Sequence, residues 1–214
     1  MSRGGDRSHR LPIVGQPGPP APERRDAREN RARILAAARK LLRAQPIGEI
    51  CMDQLAKEAG VGKGTVYRRF ENRAALVEAL LGQDATDLQN EVLSGFGLAP
   101  SAAWLVRLER FLAALMAFVL ANAPLLSEAQ AWSSGGPSRY DHPAHAWQRE
   151  TVVRYLEHAM RAGELAPVDP WVSAEAILAA FDADRIQWFL SRGYSPAQLE
   201  RDVQKLARRI IGIS

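Results

Sequence analysis

The chain has 214 residues, 47% apolar and 24% charged, which excludes wholesale disorder and fits one or two globular domains. Its single cysteine, Cys51, excludes an internal disulfide framework or a cysteine-built zinc cage, and the expected compartment is the cytoplasm. Charge is split: residues 1–75 hold 16 Lys+Arg against 8 Asp+Glu, residues 76–214 hold 12 against 16, and a basic front on an acidic body fits a polyanionic partner for the front alone.

Residues 1–26 are rich in Gly, Pro and Arg and read as a disordered basic tail. They lack the apolar stretch of a secretory signal. From Arg28 the pattern is helical. A first helix over 27–44 puts Ile34, Leu35, Ala38, Leu41 and Leu42 on one face. Pro46-Ile47-Gly48 breaks it. Helices over 52–59 and 63–70 follow, joined by the turn Gly60-Val61-Gly62. The next runs from Asn72 to about Leu93. After a linker over 94–100, a helix over 101–122 is apolar nearly all round and should be central. Its most apolar run, 111–121, falls short of the ~18 residues of a membrane span. Pro124 is expected to open a short helix. A loop containing Ser133-Ser134-Gly135-Gly136-Pro137 leads to helices over 144–162 and 170–191. A last helix begins after Ser195-Pro196, a cap followed by a first-turn proline, and reaches about Ile211. The expected class is all-α, with about nine helices.

The segment 52–70 has the physics of a helix-turn-helix. Leu55, Ala56 and Ala59 pack one short helix on another. Gly60 supplies the positive φ that ends the first of them. Val66 and Phe70 point inward. The outer face then offers Lys63, Gly64, Thr65, Tyr67 and Arg68. Small residues let the backbone approach bases, while Lys63 and Arg68 suit phosphate or guanine and Thr65 a base edge. Gln54 joins the expected DNA-binding set.

At these residues the sequence resembles the TetR/AcrR family of one-component bacterial regulators. The resemblance spans 37–80. It rests on Ala36-Ala37-Ala38-Arg39-Lys40-Leu41-Leu42, on Ala59-Gly60-Val61-Gly62-Lys63-Gly64-Thr65-Val66-Tyr67-Arg68-Arg69-Phe70, and on Asn72-Arg73-Ala74-Ala75-Leu76. Cys51 and Gly62 depart from it, standing where many members carry Ser or Thr. The resemblance implies a three-helix DNA-binding head, here 27–75, and a helical ligand-binding and dimerisation domain, here 76–214. It also places the Tyr67 hydroxyl near a phosphate, and Arg73, where members frequently carry Lys, on a backbone phosphate, which completes the expected DNA-binding set.

Other constellations are weaker. Gly60-Val61-Gly62-Lys63-Gly64-Thr65 is not a nucleotide loop, since Gly64 follows the lysine and no strand precedes it. His142 and His145 lack a third ligand, so no metal is expected. Asp182, Asp184 and Arg185 assemble no catalytic set, and neither an enzyme nor a cofactor is expected.

In the second half, the small residues Ala176, Ala179 and Ala183 and the stripe Leu199, Val203, Leu206 and Ile210 are the expected homodimer interface. Trp104, Leu108, Phe111, Leu115, Trp132, Trp147, Phe181, Arg185 and Trp188 are the expected lining of a pocket for an apolar or aromatic effector. The reading is a dimeric regulator of double-stranded DNA, a repressor released from a palindromic operator by a small molecule. The alternatives are a ligand-independent DNA-binding dimer and a small-molecule binding or enzymatic module with a vestigial head.

Overall fold

The computed structural model describes residues 25–132, 140 and 142–213, with the side chains of residues 25, 131 and 132 left aside. The expected tail up to residue 24 and the loop over 133–139 lie outside the described residues. Among those described there are nine α-helices and no strand: α1 (Arg25–Leu42), α2 (Met52–Ala59), α3 (Lys63–Arg69), α4 (Arg73–Leu93), α5 (Trp104–Trp132), α6 (Pro143–Arg161), α7 (Pro170–Leu178), α8 (Ala183–Ser191) and α9 (Pro196–Ile210).

Two cores form. Helix α1 buries Ile34, Leu35, Ala37 and Ala38, a spacing that faces one side of a helix. They meet Leu55, Val66, Phe70, Leu76, Val77 and Leu80. Asn72 starts α4 by accepting the Ala75 N–H at 2.9 Å. Arg39 clamps α1 to α4 by donating to the Leu80 carbonyl at 3.1 Å and to Asp84. The second core gathers Phe111, Leu115, Met116, Leu156, Ile177 and Ile186 from α5, α6, α7 and α8. Helix α4 belongs to both, and so does α5, whose Leu125 sits in the first core. The first core therefore does not stop at residue 75.

The helix count agrees with the sequence reading, but the boundaries differ twice. Pro124 does not start a new helix; α5 runs through it. A proline inside a helix removes one backbone hydrogen bond and costs about 3 kcal/mol. Burial on both sides, by Val119, Ala123 and Leu125, opposes that cost. Side-chain amides also reinforce the stretch. Asn122 Nδ2 donates to the Phe118 carbonyl at 3.0 Å, and Gln187 Nε2 donates to the Ala123 carbonyl at 2.7 Å. The merged helix is longer and more apolar than expected, and Trp104–Gln130 is long enough by length and composition to cross a membrane. Here it carries Phe111 and Leu115 fully buried in the second core.

The second difference is a break inside 170–191. Helix α7 ends at Leu178 and continues as a 3-10 turn over Ala179–Phe181. Asp182 then caps α8, its Oδ1 accepting the Arg185 N–H at 2.9 Å. The Arg185 guanidinium reaches back to the Ala179 carbonyl at 2.7 Å. An aspartate is a strong N-cap, and here it overrides the helical periodicity on either side.

Trp104 lies stacked on His158, ring centroids 4.1 Å apart. Burial, followed by the nearby Arg161 and Arg154 charges, holds the His158 pKa below its ordinary 6.5. The unfolded chain therefore takes the proton first as pH falls. This contribution to stability is complete above about pH 6.5 and is lost as pH drops through the lower folded value. His158→Gln is expected to flatten the fall in melting temperature between about pH 7.5 and 5. A parallel fall in both proteins would refute the assignment.

Candidate nucleic-acid interface

Helix α2 starts at Cys51, whose Sγ accepts the Gln54 N–H at 3.3 Å. Sulfur is a weaker acceptor than a hydroxyl oxygen, so this cap is weak rather than absent. Cys51→Ser is expected to stabilise the head by about 0.5–1 kcal/mol. An unchanged urea midpoint would count against that account. Gly60 ends α2 at φ 61°, in the left-handed region the sequence reading required. Its carbonyl accepts from Arg33 Nη2 at 2.7 Å, which ties the turn to α1.

Val66 and Phe70 are buried and fix the inner side of α3. Arg31 lies over the Phe70 ring, 5.1 Å from its centroid. The outer side presents Lys63, Gly64, Tyr67 and Arg68 exposed, with Thr65 half-buried. A Cβ built on Gly64 would meet nothing within 4 Å, so this corner is open to a large partner. Lys63 pairs with Asp53 at 2.7 Å, and that hydrogen bond raises its pKa above the ordinary lysine value. The ammonium stands 6.0 Å over the Tyr67 ring. Arg68 Nη2 donates to Thr65 Oγ1 at 3.3 Å, which orders the guanidinium along the same face. A short helix thus offers two cations, a phenol, a hydroxyl and a bare backbone on one surface.

Two expected members of the set are partly engaged elsewhere. Gln54 is half-buried and its Oε1 accepts from Gln45 Nε2 at 2.9 Å. Arg73 is half-buried and donates to the Ile50 carbonyl at 3.3 Å, bracing α4 against the segment before α2. The sequence reading left out the start of α1. Asp26, Ala27 and Asn30 line a cleft of about 400 Å³ with Thr65, Arg68 and Arg69. The doublet Arg68-Arg69 was the available signal for Arg69.

The expected effector lining does not converge on one cavity. Leu108, Phe111, Leu115, Trp147 and Phe181 are buried in the second core, where they fill one another's space. Phe111 meets Trp147 edge-on at 5.8 Å and Tyr155 at 6.3 Å. Trp104 is half-buried on His158, while Arg185 and Trp188 are exposed. The Trp132 side chain lies outside the described residues. The break at Asp182 resets the direction only of the α8 members, Arg185 and Trp188.

The expected dimer residues also divide. Ala176, Ala179 and Leu206 are exposed, and Val203 and Ile210 half-buried. Ala183 and Leu199 are buried in the chain's own core, a correction with the same cause for Ala183. His142 caps α6, its Nδ1 accepting the Ala144 N–H at 3.1 Å. His145 and Arg149 both meet Glu175, at 3.0 Å and 3.2 Å.

Residues 34–80 match the family model described as bacterial regulatory proteins, tetR family. An HTH-type transcriptional regulator of Staphylococcus aureus is 41% identical over 61 residues, covering 28% of this chain and 33% of that protein. The matched part is thus about a third of the length of that relative. A TetR-family transcriptional regulator from Pectobacterium atrosepticum has a similar fold, with a TM-score of 0.64 at 21% identity over 88% of this chain and 95% of that one. A gamma-butyrolactone receptor, described as ArpA-like, has a TM-score of 0.54 at 23% identity over 86% and 97%. Residues 34–80 thus carry a helix-turn-helix similar to that of tetR-family regulatory proteins, set on a nine-helix architecture, among the described residues, similar to that of solved TetR-family regulators.

Proposed function

We propose that the chain is a dimeric, cytoplasmic repressor that reads a palindromic duplex and leaves it when a small molecule binds. The outer face of α3 carries this reading: Lys63, Gly64, Thr65, Tyr67 and Arg68 stand outward because Val66 and Phe70 are locked inward. A recognition helix docks by its N-terminal end in the major groove. Arg68 suits a bidentate contact to guanine, Thr65 a base edge, and Tyr67 a phosphate. Arg73 and Gln54 hold the frame and border the backbone. One such helix reads half a site, and two copies read half-sites about 34 Å apart or somewhat more. The exposed Ala176, Ala179 and Leu206 supply the contact between copies.

Effector release follows from linkage. A ligand that binds the spread form better than the DNA-competent form shifts the population by its difference in affinity. Helix α4 joins the two cores and is the lever. The likeness to a gamma-butyrolactone receptor supports an effector of modest size.

Selection from a random duplex library at two salt concentrations tests the reading. It should enrich a palindrome. Arg68→Ala should weaken that duplex by about 1–3 kcal/mol and relax the sequence preference at one position of each half-site. Binding with a steep salt slope and no enriched sequence would mean phosphate contact alone and would overturn it.

A further inference from the structure

We infer that the cleft between the last turn of α4 and the second and third turns of α5 binds a small zwitterion with an apolar body, of the class of a free amino acid. The inference rests on the effector reading above and gives it a place outside the filled core. The cleft holds about 330 Å³ and is lined by Glu91, Ser94, Phe96, Arg110, Ala113 and Ala114.

Its charges decide the ligand class. Glu91 and Arg110 are exposed on opposite helices, and neither forms an ion pair with another described residue. A lone anion would meet Glu91 and the carbonyl-rich, partly negative end of α4. A lone cation would meet Arg110. A molecule with both charges satisfies both walls, its carboxylate on Arg110 and its ammonium on Glu91. Ala113, Ala114 and the Phe96 ring offer the apolar surface for its body.

The wall is fixed. Phe96, at φ 58°, is the one non-glycine with positive φ among the described residues, between Gly95 and Gly97, both at 65°. Backbone in this state persists only where its surroundings hold it. Its ring packs on the second core. Arg107 pins the following loop by donating to the carbonyls of Ala99 at 2.8 Å, Pro100 at 3.1 Å and Ala102 at 3.3 Å. An occupant therefore pushes on α4 rather than on this loop, and α4 carries Leu76 and Leu80 in the first core.

Titration calorimetry on the full chain tests the site. L-leucine is the probe, with leucinamide as the cation-only analogue and 4-methylpentanoate as the anion-only one. Leucine should bind at least about tenfold more tightly than either. Arg110→Gln should erase its advantage over leucinamide, and Glu91→Gln its advantage over 4-methylpentanoate, with circular dichroism confirming folded variants. No heat with leucine, phenylalanine or tryptophan overturns the site, as does equal binding of all three leucine compounds. Leucine binding that leaves affinity for the selected duplex unchanged overturns the site's role in release. The duplex selection succeeds or fails without any amino acid present, so the two readings fall separately.

Discussion

Phe70→Ala is expected to destabilise the head by about 3–5 kcal/mol and to abolish binding to duplex DNA. Phe70 is 1% exposed and is among the largest fully buried side chains of the first core. It closes α3, its N–H donating to the Val66 carbonyl at 2.8 Å, and its ring lies under Arg31. No neighbour can collapse into the space without moving α1 or α4. A whole domain is stable by only about 5–15 kcal/mol, so the loss is a large share of what the head has. Helix α3 would lose its anchor while the second core kept Phe111, Leu115 and Ile177. Circular dichroism should show partial loss of helix at 37 °C, and the duplex recovered by selection should no longer be retained. Full DNA affinity in this variant would contradict the packing argument.

If the chain pairs as proposed, Ala176→Glu is expected to give a monomer and to weaken binding to the duplex recovered by selection by roughly a thousandfold, the lower end of the gap between specific and non-specific binding. Val172 and Ala176 on α7 and Ala179 in the turn that follows it recur at helical spacing and all are exposed, Val172 by 67%. Trp171, Trp188 and Leu206 leave about half their surface open on α7, α8 and α9. Such an apolar face suits a second copy better than water. In a twofold contact each copy meets the same patch, so one substitution places two carboxylates in it. Burying unpaired charge costs several kcal/mol, more than a small interface can absorb. Sedimentation should show half the wild-type mass. A dimer that persists with full DNA affinity would mean that the contact lies elsewhere.

The head was legible because its physics is local. Gly60, Val66 and Phe70 announce a turn and two inward positions within eleven residues, and the structure places each as the sequence required. Even there, local reading stopped short. That Arg73 would spend itself on the Ile50 carbonyl depends on how α4 meets α2, which no spacing encodes. The second half was legible as helices but not as faces. Periodicity cannot see a capping side chain defeat a helix, as Asp182 does. Nor does it show buried neighbours carrying a helix across Pro124. An aromatic-rich core and an aromatic-lined pocket also share one composition, and only the contact of Phe111 with Trp147 and Tyr155 tells them apart.

The passage of α5 through both cores bears on how such proteins can be recombined. Leu125 is 4% exposed against head residues, and Ala129 packs beside it. A chimera that exchanges residues 25–93 between two regulators would set a foreign underside on these two side chains. Its graft should therefore carry the matching stretch of α5 as well. Past Pro124 one helix thus faces both modules, Leu125 and Ala129 toward the head and Leu126 toward the second core. Leu125 and Ala129 therefore belong with the head in packing, although they lie far from it in sequence.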